Sequence, residues 1–230
     1  MDPQIIWKFL FEPIDLYCER THRGLWAEPF NALSNAAFLL GALGLYRLAG
    51  RVDKEPARKA LVYLSVMSAL VGAGSALFHS FPNKLTQSAD VLPIAIFVAL
   101  AVYFYFRERA DHGIPLRQTL ILCLLFITGT PLLAILLGLS PYFAKGEYYL
   151  GLFPAMLLLA VSETNHAKRM RIFLSALIFG LALTARTLDP YLCADFPLGS
   201  HFIWHLGSAA AAFLMGTVQG LNDAKRTTAH

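Results

Sequence analysis

The sequence has few charged residues for its length. Asp, Glu, Lys and Arg make up only 15% of its 230 residues, against about 25% in an average soluble protein. So few charges cannot cover the surface of a water-soluble domain of this size. The composition also excludes intrinsic disorder, a coiled coil, collagen and nucleic-acid-binding tails, so we expect no nucleic-acid partner. What the chain has in excess is apolar: 57% of its residues are hydrophobic, and its mean hydropathy is +0.54.

Seven stretches are apolar enough to cross a bilayer as helices, which needs about 20 residues each. They are residues 30–49, 60–80, 88–106, 116–137, 148–163, 172–187 and 200–220. Short breaks separate them, such as Phe81-Pro82-Asn83 and the stretch from Asp189-Pro190 to Pro197. We therefore predict an all-α membrane protein with a seven-helix bundle over 30–220, an extramembrane segment over 1–29 and a tail over 221–230.

The positive charges set the predicted orientation of this bundle. The loops after the first, third and fifth spans and the C-terminal tail hold thirteen of the nineteen Lys and Arg residues, and the opposite side holds six. Because cytoplasmic loops carry the excess of Lys and Arg, we expect the N-terminus outside and the C-terminus in the cytoplasm. The net charge of +4 then belongs to the loops and does not by itself indicate an acidic partner.

Polar residues of the spans collect at the outer end of this topology. Because such residues are costly in a membrane, each is a candidate for function. They are Ser75 and His79 in the second span, Asp90 in the third, His201 and His205 in the seventh, and Glu28, Asn31 and Asn35 at the start of the first. Glu163 and Arg186 lie near span ends, where snorkelling to the interface explains them.

The histidines have the spacing of a metal site. His201 and His205 are four residues apart and therefore share a helix face, and His79 can supply a third imidazole. Three nitrogen ligands with a fourth position open to water are typical of catalytic zinc. Ser75 can then donate to a substrate oxyanion, and Asp90 can act as general base. The pattern favours zinc-assisted hydrolysis of an amide or ester.

Each of these residues also has a structural interpretation. Two histidines four apart can hydrogen-bond between packed helices, and the same holds for His79 alone. Asp90 can cap a helix at the membrane surface. Ser75 lies in the sequence Gly72-Ala73-Gly74-Ser75-Ala76, which is typical of a close helix crossing. The convergence of all five residues in one layer is what favours a site.

In this order and on these spans, the motifs resemble those of the alkaline ceramidases. More distantly they resemble the adiponectin-receptor and haemolysin III proteins of the same seven-helix hydrolase superfamily. The resemblance covers almost the whole chain. Its motifs are Glu28-Pro29-Phe30-Asn31 with Ser34-Asn35, Gly74-Ser75-Ala76-Leu77-Phe78-His79, Asp90, and His201-Phe202-Ile203-Trp204-His205.

The resemblance implies a zinc amidase that cleaves ceramide or a related N-acyl lipid into a sphingoid base and a fatty acid. It implies that His79, His201 and His205 hold zinc and that Ser75 and Asp90 assist. It also implies a disulfide between Cys18 and Cys193, which both fall outside on the predicted topology, where disulfides persist.

The resemblance further implies a calcium site built from the N-terminal acidic segment. Its ligands would be Asp15, Glu19 and Glu28, with a backbone oxygen from Tyr17 or Thr21. The family's aspartate before the aromatic residue is replaced here by Leu16. A solvated acidic patch is therefore the alternative.

Two other hypotheses stay open from the sequence. One is a seven-helix receptor or structural membrane protein whose zinc only joins helices, and such a zinc usually has four protein ligands. The other is an intramembrane serine hydrolase with Ser75 as nucleophile, which needs a single base and no cluster of three histidines. For the favoured hypothesis, the partner is a membrane lipid, and the site faces the non-cytoplasmic side.

Overall fold

The computed structural model describes residues 3–22, 24–109, 116–139 and 146–221, and these segments are mainly helical. The helices are α1 (Pro3–Leu10), α2 (Pro29–Ser34), α3 (Ala36–Ala49), α4 (Glu55–Ser80), α5 (Lys84–Arg109), α6 (Leu116–Leu136), α7 (Leu152–Ser162), α8 (His166–Leu192) and α9 (His201–Thr217). Two 3-10 turns, Gly146–Tyr149 and Val218–Gly220, precede α7 and follow α9. Within the described ranges there is no β-strand, only an isolated bridge between Pro13 and Asn83.

Four of the helical segments are long and apolar enough to cross a membrane. They are Pro29–Ala49, Glu55–Ser80, Lys84–Arg109 and His166–Leu192. Large apolar side chains point away from the bundle, with Leu40 and Leu181 each 71% exposed, as suits contact with lipid. Over the described residues the structure confirms an all-helical fold, with four helices that are long and apolar enough to cross a membrane. The count of seven spans, their orientation and the division at residues 29 and 220 stay predictions, and the tail beyond Leu221 lies outside the described residues.

Two predicted boundaries differ from the structure. The first span is interrupted at Asn35, a turn residue between α2 and α3. The predicted break from Asp189 to Pro197 is confirmed between α8 and α9 but begins later than predicted, because α8 continues to Leu192 with Pro190 inside its last turn. A proline there removes only its own backbone hydrogen bond, so the helix can end a little later. The break at Phe81-Pro82-Asn83 is confirmed, since α4 ends at Ser80 and α5 begins at Lys84.

Glycine and alanine let neighbouring helices approach closely. At Gly74 an added Cβ would lie 2.0 Å from the carbonyl oxygen of Ala89, so α4 and α5 touch backbone to backbone. At Gly207 an added Cβ would lie 2.7 Å from the Cβ of Ala182, which brings α8 against α9. Small residues at crossings are a common means of packing helices in membranes.

The end of the bundle opposite the histidines is joined by ion pairs. Glu163 is 4% exposed, pairs with Arg109 and accepts a hydrogen bond from the Tyr105 hydroxyl at 3.1 Å. Lys168 pairs with Glu108 at 2.5 Å. The snorkelling interpretation of Glu163 is therefore wrong, because its carboxylate is buried and shared between α5 and the end of α7.

Candidate metal centre

Three histidines from two helices meet at one end of the bundle. His79 comes from the last turn of α4, and His201 and His205 come from the first turns of α9. All three are buried, and one ring nitrogen of each lies within 4.8 Å of the others. The Nε2 atoms of His79 and His205 are only 3.1 Å apart. The structure thus brings together the three imidazoles that the sequence placed in one layer.

The outer nitrogens of two rings are held by neighbouring side chains. The Nδ1 of His79 lies 2.5 Å from Glu28 Oε2, and the Nδ1 of His205 lies 2.8 Å from the Ser34 hydroxyl. The Ser34 hydroxyl itself donates to the carbonyl of Asn31, so it accepts from His205. A ring whose Nδ1 carries the proton presents the lone pair of Nε2 to the centre.

Glu28 is an ionised carboxylate, so it can accept the hydrogen bond from the Nδ1 of His79. Burial opposes ionisation of its carboxyl, but the hydrogen bond to His79 and the Arg20 guanidinium outweigh it, so its pKa lies below the ordinary value. Asn31 adds a hydrogen bond to Glu28 Oε2 at 3.2 Å. Asn35 lies beside His205, with 3.5 Å between its Nδ2 and the ring's Nδ1. Asn31 therefore contacts the carboxylate that holds His79, and Asn35 lies beside His205.

His201 is fixed by stacking. The Tyr17 ring lies on it with 3.6 Å between centroids and 17° between planes. Burial raises the pKa of Tyr17 to about 12, so this ring is a neutral phenol. The Nδ1 of His201 is buried and has no hydrogen-bond partner among the described residues. A buried nitrogen of this kind is unfavourable without a ligand.

Asp189 positions the start of α9. Its carboxylate accepts from the backbone N–H groups of Ser200 at 2.6 Å, His201 at 2.9 Å and Cys18 at 3.0 Å. Gly199, with φ +66°, is required at this point because an added Cβ would lie 2.2 Å from the same carboxylate. Sequence analysis assigned no role to Asp189, because it placed this residue in a break between spans, whereas the structure buries it inside α8.

A disulfide closes the same region. Cys18 and Cys193 are bonded, which confirms the pairing that the resemblance implied. The bond ties the N-terminal segment to the end of α8, one turn beyond Asp189. Tyr17 is thereby held over the histidine cluster.

Ser75 and Asp90 face each other beside the histidines. Ser75 is buried on α4, one turn before His79, and its hydroxyl lies close to the half-buried carboxylate of Asp90 on α5. Asp90 also lies close enough to His79 and Arg186 for electrostatic attraction. The close approach at Gly74 is what places these two side chains together.

The residues proposed for calcium do not form an open oxygen site. Asp15 and Thr21 are exposed, and Tyr17 packs on His201. Glu19 is buried, and its two oxygens accept from the backbone N–H groups at the start of α2. Burial raises the pKa of Glu19, against the effect of these two donors. The solvated patch is also wrong for Glu19 and Glu28, which are both buried.

Sequence reasoning missed the role of Arg186. Arg186 is only 6% exposed, so the prediction that its side chain snorkels to the membrane interface is wrong. The guanidinium lies over the rings of Tyr17, Tyr149 and Trp204 at 5.6 to 5.9 Å. It also interacts with Glu147, which is 2% exposed at the start of the 3-10 turn. Arg186 therefore lies near Asp90, at the same end of the bundle as the three histidines.

An apolar cavity starts at this end and runs into the bundle. Tyr149 and Trp204 line it nearest the histidines, and their rings are 5.0 Å apart. Further in it is lined by apolar side chains of α3, α5, α7 and α9, including Phe38, Ile94, Phe97, Ala155, Leu159, Ala211 and Met215. The cavity therefore lies next to the histidine cluster, since Trp204 in its wall directly precedes His205, and its own lining is almost entirely apolar.

The donor set fits zinc. Three imidazoles from two helices, two of them oriented by other side chains, are the ligands of many catalytic zinc sites. The unpartnered Nδ1 of His201 agrees with a centre built to take an ion. Calcium, in contrast, prefers six to eight oxygens, and the cluster offers nitrogen.

A comparison with family models assigns the chain. The ceramidase family model matches residues 14–229, which is nearly the whole chain. No match was found among curated proteins or among solved structures. The matched range includes the three histidines, Ser75, Asp90 and the disulfide. The chain belongs to the ceramidase family.

Proposed function

We propose that the protein is a zinc-dependent intramembrane amidase that cleaves ceramide or a related N-acyl lipid into a sphingoid base and a fatty acid. The observation that carries this proposal is the convergence of three buried histidines beside an apolar cavity. The cavity suits an acyl chain, and the polar end suits the amide. Family membership supports a lipid amide as the substrate class.

His79, His201 and His205 would hold the metal. When bound, Zn²⁺ acts as a Lewis acid that lowers the pKa of water and polarises a carbonyl. Glu28 and Ser34 keep two of the rings turned toward the centre. Tyr17 and Asp189 keep the third ring and its helix in place.

Asp90 and Ser75 supply the proton transfer and the hydrogen bond. Asp90 accepts a proton from the water that attacks the amide carbon, as a general base does. While Asp90 is ionised, the Ser75 hydroxyl donates to it. Once Asp90 is protonated it becomes a donor, so the Ser75 hydrogen is released and can turn to the developing oxyanion. Asp90 then returns the proton to the leaving amine.

The site would lie on the non-cytoplasmic side of a seven-span bundle. The positive-inside distribution supports this placement, because the histidine end is opposite the loops rich in Lys and Arg. The lipid would enter from the bilayer and keep its chains among the helices.

Metal analysis joined to a substrate screen tests the proposal. Detergent-purified protein should contain about one zinc and hydrolyse a ceramide or N-acyl lipid, and a chelator should abolish turnover. His205→Ala should lose metal and activity together, whereas the exposed His166→Ala should keep both. An active His205→Ala variant without metal would reject the mechanism.

The two alternatives give different results in the same preparation. A receptor or structural protein would hold zinc and cleave no lipid amide or ester. A serine hydrolase would label at Ser75 with a fluorophosphonate, whereas the metal mechanism leaves this serine unacylated.

A further inference from the structure

An arginine occupies the acidic cluster behind the metal centre. Arg20 donates from Nε to Glu28 Oε1 at 2.5 Å and from Nη2 to the backbone carbonyl of His79 at 3.2 Å. Its side chain is 7% exposed and that of Glu28 is 2% exposed, so the pair is buried. The same guanidinium thus contacts both the carboxylate that orients His79 and the backbone of His79.

The carboxylates of Glu19 and Glu28 already have hydrogen-bond partners within the protein. Glu19 accepts from the N–H groups of Phe30 at 2.6 Å and Asn31 at 2.8 Å. Glu28 has Arg20 on one oxygen, and His79 and Asn31 on the other. A calcium ion needs six to eight oxygens, and forming such a shell here would require breaking these contacts.

We propose that Arg20 does in this chain what a bound cation would do: its guanidinium neutralises Glu28 and positions His79, so the metal centre needs no calcium. Arg20 is a positioning residue, because it acts through Glu28. The inference rests on the zinc site of the proposed function, but not on the identity of the lipid.

The physical argument follows from the shape of the guanidinium. Its planar N–H groups can bind Glu28 and the His79 carbonyl at the same time, which fixes the carboxylate relative to the helix that carries the ligand. Glu28 Oε2 is then held 2.5 Å from His79 Nδ1. Groups that orient a ligating histidine typically change metal affinity by about 10- to 100-fold. A lysine would supply the positive charge but not the planar set of N–H groups that binds Glu28 and the His79 carbonyl at the same time.

The experiment measures zinc affinity in detergent-purified full-length protein by competition with a chromophoric chelator. Arg20→Gln should bind zinc about 10- to 100-fold more weakly, and Arg20→Lys should lie between it and the wild type. Arg51→Gln, which changes an exposed arginine, should match the wild type. In a Glu28→Gln background the effect of Arg20→Gln should largely vanish, because Arg20 acts through that carboxylate.

A second experiment tests calcium binding. It uses only the wild-type protein, so its result does not depend on whether a variant folds. Calorimetric titration of the zinc-loaded protein with CaCl₂ should show no stoichiometric binding, and the melting temperature and zinc affinity should not change. Stoichiometric calcium binding, or zinc affinity that rises with calcium, would overturn the proposal, as would an Arg20→Gln variant with wild-type zinc affinity. Lipid hydrolysis measured in parallel reports separately on the proposed function.

Discussion

Gly74→Ala should separate metal binding from catalysis. The added methyl group would lie 2.0 Å from the carbonyl oxygen of Ala89 and 2.8 Å from its carbonyl carbon. The oxygen is backbone, so no side-chain rotation can relieve the contact. Ordinary contact begins at 3.4 Å, and the difference from 2.0 Å means that α4 and α5 must separate by ~1.4 Å.

This separation of α4 and α5 would occur at Ser75 and Asp90, the proposed catalytic pair. Ser75 follows Gly74 directly and Asp90 follows Ala89 directly, so the distance between their side chains grows with it. A misplacement of about 1 Å can lower a rate about 100-fold. Overpacking of this kind also costs about 1–3 kcal/mol of stability. The three histidines proposed to hold zinc are on α4 and α9, so we expect metal content near that of the wild type.

The assay is turnover of the best N-acyl lipid per bound zinc, with the melting temperature recorded for each variant. Gly129→Ala is the matched control, because an added Cβ there meets nothing within 4 Å. That control should keep its activity and gain up to about 1 kcal/mol from helix propensity. Wild-type turnover in Gly74→Ala would show that the contact between α4 and α5 does not set the geometry of the catalytic pair.

Three further changes test other contacts. Ser34→Ala removes the hydrogen-bond partner of His205 Nδ1 and should weaken zinc binding about 10-fold or more, measured by chelator competition. Asp189→Asn keeps the shape but loses the charge that binds three backbone N–H groups, so the melting temperature should fall, with each lost charged hydrogen bond worth about 1.5–3 kcal/mol; an unchanged melting temperature would contradict this role. Ala155→Phe narrows the apolar cavity and should shift kcat/KM toward shorter acyl chains, whereas Val161→Phe, at a site 77% exposed, should leave chain-length preference unchanged.

The three histidines at the centre of the site could be predicted from the sequence for two reasons. Their spacing is a local pattern, and polar residues are energetically unfavourable in apolar helices, so they are conspicuous there. Histidines four apart on an apolar helix, and a third at the end of another, need no knowledge of loop geometry. The topology drawn from Lys and Arg then placed His79 near His201 and His205, and the structure brings their rings together. Ser75 and Asp90 followed from the same argument, since both flank one short turn.

The surroundings of the site could not be predicted in this way. Arg20 and Glu28 lie eight residues apart in an irregular segment, so their pairing depends on a loop path that has no periodicity. Arg186 was interpreted by its distance from a span end, which gives no information about the aromatic rings that enclose it. Asp189 was taken as part of a turn because proline follows it, whereas the helix continues and the carboxylate serves α9.

The cavity walls determine where along its length a lipid can bury polar atoms. Apart from Tyr149 and Trp204 at the histidine end, the polar side chains among the described lining residues are two serines, and both donate to the backbone: Ser68 to the carbonyl of Phe38 at 3.0 Å, and Ser208 to that of Trp204 at 2.5 Å. An amide buried without a partner costs about 1–3 kcal/mol in proteins. A lipid that slid further in would pay that cost, and one whose amide stays at the histidine end would not. In the proposed mechanism, the apolar wall would therefore hold the acyl chain, and the amide bond of the substrate would stay at the histidine end, beside Ser75 and Asp90.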